Sequence, residues 1–106
     1  MVNVKGKWTL ITGAARGIGY LAAQFMAKQG SNLILQSRNK SHTEKILSEV
    51  KSLGIEAYAV EAELGCEESV RKMLAEIDAF GVNVEIVLNN AGFQIGYRTD
   101  YFQTPI

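Results

Sequence analysis

The stretch TGAARGIG, residues Thr12–Gly19, decides how the chain reads. Before it stands WTLIT (Trp8–Thr12), a short continuous apolar run like that of a strand buried on both faces. After it, Ile18, Leu21, Ala22, Phe25 and Met26 fall at i, i+3, i+4, i+7 and i+8, one stripe of a helix. The glycines at 13, 17 and 19 thus bridge a strand and a helix N-terminus. At such a joint, free backbone N–H groups and the helix dipole attract a phosphate. Glycines there let the backbone turn sharply, approach a pyrophosphate and pack the helix on the sheet. The plainer reading is a tight strand-to-helix turn with no ligand.

Outward from this loop the same alternation repeats. NLILQ (Asn32–Gln36) reads as a second strand. Ile46, Leu47, Val50 and Leu53 mark a second helix, with Ser41 and Glu44 spaced as a capping box. IEAYAV (Ile55–Val60) is a third strand, Val70, Met73, Leu74, Ile77 and Phe80 mark a third helix, and VEIVLNN (Val84–Asn90) is a fourth strand. Each helix ends at a glycine, Gly30, Gly54 or Gly81, suited to the left-handed C′ position. The expectation is an α/β fold: a Rossmann-like parallel sheet in the order 3-2-1-4, helices on both faces, cut after strand 4.

Residues 1–106 then form one dinucleotide-binding segment of an incomplete domain, with 93–106 starting the loop toward a next helix. Thr104 followed by Pro105 resembles a helix start, a hydroxyl N-cap and then proline at the first helical position. Strand 4 would expose Ile86, Val87 and Leu88 as an apolar edge, with only the third helix covering one sheet face. These residues alone are therefore not expected to form a stable monomer.

Composition narrows the function. Eleven basic residues balance 11 acidic ones, so charge offers nothing to nucleic acid or an anionic membrane. No apolar run approaches the roughly 20 residues of a membrane span. The lone Cys66 favours a reducing, cytoplasmic setting. Neither it nor His42 has a base or metal-ligand partner at useful spacing; His42 reads as a solvated surface residue, and Cys66, near the start of the third helix, as packed or simply exposed.

TGxxxGIG resembles the cofactor loop of the short-chain dehydrogenases/reductases, and NNAG (Asn89, Asn90, Ala91, Gly92) resembles a second motif of that family at fitting spacing. The resemblance implies an oxidoreductase that moves hydride between a nicotinamide dinucleotide and a small alcohol/carbonyl substrate, usually as a homo-oligomer. It assigns cofactor binding to Thr12, Gly13, Ala15, Arg16, Gly17, Ile18 and Gly19. It also assigns it to Asn90, Ala91 and Gly92, and it puts Glu63 and Leu64 beside the adenine. Glutamate replaces the family's usual aspartate there.

The second strand runs into QSRNK (Gln36–Lys40), which contains no acid. An acid there would bind the adenosine ribose hydroxyls of NAD. Ser37 stands in its place, and Arg38 follows; a guanidinium can hold a 2′-phosphate by bidentate hydrogen bonds. Arg16 is placed to reach the same phosphate. The expected cofactor is NADP(H), with NAD(H) the poorer fit. The bland alternative is two solvated surface arginines.

The family's catalytic tyrosine, followed by lysine four residues later, has no counterpart. Gln24, Ala62, Tyr101 and Pro105 follow the four tyrosines at that spacing. No catalytic residue is assigned. Phe93, Tyr97, Tyr101 and Phe102 suit either a substrate pocket or packing under later helices. Two further classes stay open: a non-catalytic dinucleotide-binding or interaction module, and another Rossmann-type enzyme such as a methyltransferase.

Overall fold

The computed structural model describes residues 3–90. Their elements are β1 (Trp8–Ile11), α1 (Gly17–Lys28), β2 (Asn32–Ser37), α2 (Glu44–Lys51), β3 (Ala57–Glu61), α3 (Glu67–Ala79) and β4 (Val84–Leu88). A 3-10 turn over Lys40–Thr43 leads into α2. All pairings are parallel, in the order β3-β2-β1-β4, as expected. In register, Ile11 lies between Leu35 of β2 and Leu88 of β4.

Helices cover both faces, and so the central strands are apolar without alternation. On one face Ile11, Leu33 and Leu35 pack with Ala23, Met26 and Ala27 of α1 and Ile46 and Val50 of α2. On the other, Leu10, Ile34 and Val60 pack with Met73 and Ile77 of α3. Each such aliphatic side chain contributes about 1.5–3 kcal/mol when fully buried. Trp8, Tyr58 and Phe80 stack beside the second layer, with centroids 5.5 and 4.1 Å apart.

Element ends differ from expectation by one or two residues. β1 stops before Thr12, whose hydroxyl turns toward the end of β4, and β4 stops before Asn89 and Asn90. β2 runs on through Ser37, and β3 starts at Ala57 because the Asn32 side chain takes the Glu56 N–H at 2.9 Å.

The stripe expected on α1 needs a larger correction. Ile18, Leu21 and Phe25 are 75%, 63% and 55% exposed. The buried face is Gly19, Ala23, Met26 and Ala27. Small residues at i, i+4 and i+8 let the helix backbone lie close to the sheet, so the bulky ones flank the contact. Leu53 and Leu74, also expected to pack inward, are about half exposed. The expected capping box is absent too. Asn39 Oδ1 accepts from the Ser41 N–H at 2.9 Å and caps the 3-10 turn, so Ser41 lies inside that turn. Thr43 precedes α2 but donates its hydroxyl to Lys40 O at 2.8 Å.

Gly30 and Gly81 directly follow the caps of α1 and α3 with φ of +91° and +73°, as expected, whereas α2 is capped at Ser52 and Gly54, with φ of +93°, stands two residues beyond. β4 is one edge of the sheet among the described residues, β3 the other, and Val87 of β4 is 59% exposed. No described helix is long and apolar enough to cross a membrane. Ala91, Gly92 and the Thr104–Pro105 helix signal lie outside the described residues.

Candidate functional site

The carboxyl ends of the four strands open on a groove of about 1310 Å³. It sits where the chain reverses, β1 leading outward to β2 and β3 and then back to β4 on its other side. Open α/β sheets bind ligands at such a switch point.

The glycine loop forms its floor. Gly13 (φ +65°) donates its N–H to Gln36 Oε1 at 2.8 Å, and Ala14 N–H bonds Gln36 O at 3.0 Å. The Gln36 amide donates in turn to Ala62 O at 2.9 Å. One buried glutamine thus ties together the ends of β1, β2 and β3. From the other side, Asn90 Nδ2 donates to Gly13 O at 3.2 Å, and the Asn90 N–H bonds Thr12 Oγ1 at 2.8 Å. Thr12 donates to Asn89 Oδ1 at 3.1 Å. The two sequence motifs are therefore joined through Thr12, Gly13 and Asn90.

Gly19 makes this junction possible. A Cβ built there would lie 2.1 Å from Gly13 O and 2.6 Å from Asn90 Nδ2. Gly17 has the opposite reason: its φ is +63°, while an added Cβ would meet nothing within 4 Å. Arg16 precedes α1 in extended conformation, and among the described residues no side chain caps the helix. The first turn of α1 also carries no acid. Its leading N–H groups keep their capacity for an anion.

Most of the residues expected to bind cofactor converge on this groove. Gly13, Ala15 and Arg16 line it from the loop, and Asn90 from the end of β4. Ser37, Arg38, Glu63 and Leu64 line it from the ends of β2 and β3. Thr12 braces its floor, and Gly17 and Gly19 start the helix at its edge. Ile18 belongs to that first turn, but its side chain is on the outside.

Two side chains expected to meet different parts of a ligand meet each other instead. Arg38 Nε lies 3.1 Å from Glu63 Oε1, with the two side chains 80% and 57% exposed. Ser37 is buried and donates its hydroxyl to Asn39 O at 2.6 Å, so it shapes the turn after β2. His42, read from sequence as a plain surface residue, is exposed but lines the groove. It sits in the 3-10 turn that the capping-box reading missed. Gln36 also escaped notice; its signal was a lone amide ending an apolar strand.

A titratable pair with shifted acidity lies between α1 and α2. Hydrogen bonding toward the Glu49 carboxylate, then burial, push the Tyr20 phenol up to about 12. That contact falls short of full hydrogen-bond geometry. Glu49 is lowered by the same phenol and by Gln24, whose amide donates to it at 3.0 Å. The described residues hold no cluster of His, Cys, Asp or Glu suited to a metal.

The groove fits a dinucleotide on its own features. It joins an uncapped helix N-terminus to a strand end carrying a guanidinium and no acid, with open space over Gly17. A glycine-bridged switch point on a parallel sheet defines a dinucleotide-binding fold. The chain belongs to the short chain dehydrogenase family, which residues 7–104 match. It is 33% identical over 87 residues to the 3-oxoacyl-(acyl-carrier-protein) reductase FabG of Staphylococcus epidermidis, covering 81% of this chain and 36% of that protein. The NADPH and L-sorbose complex of L-sorbose reductase from Gluconobacter frateurii superposes with a TM-score of 0.79 at 25% identity, covering 85% of this chain and 35% of the reductase. An NAD+-bound xylitol dehydrogenase gives 0.78 at 29% identity, covering 96% and 42%. The chain spans little more than a third of the length of the curated relatives it matches.

Proposed function

We propose that this chain is the cofactor-binding half of an NADP(H)-dependent oxidoreductase that interconverts a small alcohol and its carbonyl. When bound, the dinucleotide supplies or accepts the hydride. This chain's own residues bind and orient it. The first turn of α1 and Arg16 take the pyrophosphate, with Gly17 and Gly19 permitting its approach. Arg38 takes the 2′-phosphate, assisted by Arg16. Glu63 and Leu64 flank the adenine. Asn90, Ala91 and Gly92 border the middle of the cofactor.

The observation that carries the choice of NADP(H) is the end of β2. Ser37 is buried and its hydroxyl is committed to the backbone, no acid follows, and Arg38 reaches over the groove. Relatives with bound cofactor do not choose for this chain, since one is an NADPH complex and another holds NAD+. Affinities for 2′-phospho-ADP and ADP test the proposal. The phosphorylated nucleotide is expected to bind at least about tenfold more tightly, with Arg38→Ala removing most of the difference. Comparable affinities in the unmodified protein refute it.

A non-catalytic dinucleotide-binding module is the second reading, since every residue assigned a role here is assigned to the cofactor groove and none to catalysis. Steady oxidation of NADPH by the protein with a carbonyl substrate excludes it. Cytoplasmic location and homo-oligomerisation belong to the first reading, and binding of S-adenosylmethionine would contradict both.

A further inference from the structure

We propose that Glu63 is a specificity-determining residue that competes with the coenzyme's 2′-phosphate for Arg38. The inference rests on the reading of Arg38 as the phosphate ligand and goes beyond it. The end of β3 is held beside the end of β2 by the bond from Ala62 N–H to Ser37 O at 3.0 Å and by the Gln36 bridge to Ala62 O. Arg38 and Glu63 are therefore neighbours by construction of the sheet, and their side chains meet over the groove that both line. The contact is a single Nε–Oε1 bond between exposed groups, weak enough to exchange. The other nearby carboxylate, Glu61, is turned to the Lys40 N–H at 3.1 Å.

A phosphate monoester arriving at Arg38 carries nearly two negative charges at neutral pH. It must displace Glu63 or lie beside it. Both outcomes act against the 2′-phosphorylated nucleotide and leave the unphosphorylated one untouched. Any contact of Glu63 with the adenine is common to both nucleotides and cancels in the ratio of their affinities. Glu63 thus holds the site's preference for 2′-phosphate below what Arg38 alone would give.

The test is that ratio, for 2′-phospho-ADP over ADP, measured calorimetrically in the unmodified protein, Glu63→Gln, Arg38→Ala and the double variant. The Glu63 backbone N–H is anchored by Ser69 Oγ at 2.8 Å, so Glu63→Gln leaves the chain path in place. Glu63→Gln is expected to raise the ratio about threefold to tenfold at low salt, from like charges roughly 6 Å apart, with the gain shrinking at high salt. The gain is also expected to be smaller when Arg38 is absent. An unchanged or lowered ratio in Glu63→Gln overturns the proposal. If Arg38→Ala lowers the ratio while Glu63→Gln leaves it unchanged, only the role of Glu63 falls. If Arg38→Ala also leaves the ratio unchanged, the coenzyme reading falls with it.

Discussion

Replacing Gly19 by alanine inserts one methyl group at the point where α1, the glycine loop and the end of β4 meet. That methyl would stand 2.1 Å from Gly13 O, 2.8 Å from Gly13 C and 2.6 Å from Asn90 Nδ2. Two of these three neighbours are backbone and cannot rotate away. Restoring ordinary contact moves the helix start or the loop by more than about 1 Å, an overpacking that costs about 1–3 kcal/mol. Asn90 Nδ2 must also leave Gly13 O, which costs about 1 kcal/mol more. The expected loss is therefore about 2–4 kcal/mol, or about 10–20 °C in Tm for a domain of this size. Gly17→Ala is the control. Its methyl meets nothing within 4 Å, so it pays only for a left-handed alanine, about 1–2 kcal/mol. Thermal unfolding of both variants, with NADPH titrations on each, checks this. Gly19→Ala is expected to lose more stability than Gly17→Ala, and both are expected to lose affinity, Gly17→Ala because its methyl enters the space over the loop. Equal losses of stability, or a Gly19→Ala protein as stable as its parent, would refute the close-packing argument.

Gln36→Leu removes the partners of the Gly13 N–H and Ala62 O. A loss of about 2–4 kcal/mol in denaturant unfolding is expected, with weaker nucleotide binding. Asn90→Ala frees Gly13 O alone and is expected to cost about 1 kcal/mol. The Tyr20–Glu49 pair predicts two limbs of pH dependence. Glu49 has a depressed folded pKa, so its contribution is complete above its ordinary 4.5 and is lost as pH falls through the lowered value. Tyr20 has a raised one, so its contribution is complete below pH 10.0 and is lost as pH rises through about 12. Glu49→Gln should flatten the acid limb and return one tyrosinate absorbance step toward 10.0, and an unmoved step would contradict the pairing.

Strand order and helix placement were legible because apolar strands and helical stripes alternate with glycine stops, and parallel crossovers leave few topologies. The loop and the NNAG turn were legible as motifs, but their mutual bonding through Thr12, Gly13 and Asn90 was not, since it joins residues 77 and 78 positions apart. The buried face of α1 was misread because that helix is apolar nearly all round, and hydrophobicity alone does not separate Ala23 and Ala27 from Leu21 and Phe25. Close approach to the sheet chose the small residues. His42 is exposed as read, but its place at the groove rim was hidden because the 3-10 turn carries it there, and Asn39, which starts that turn, resembled an ordinary loop residue. The Arg38–Glu63 contact was hidden for a related reason. Each residue has a clear role at its own strand end, and only the pairing of β2 with β3 sets them side by side.

The central claim is that the groove prefers a 2′-phosphorylated nicotinamide dinucleotide. Fluorescence titration of the protein with NADPH and NADH in the same buffer, at low and high salt, tests it most directly. The account predicts NADPH binding at least about tenfold tighter at low salt, with the margin narrowing as salt screens Arg38 and Arg16. Equal affinities, or a preference for NADH, would contradict it.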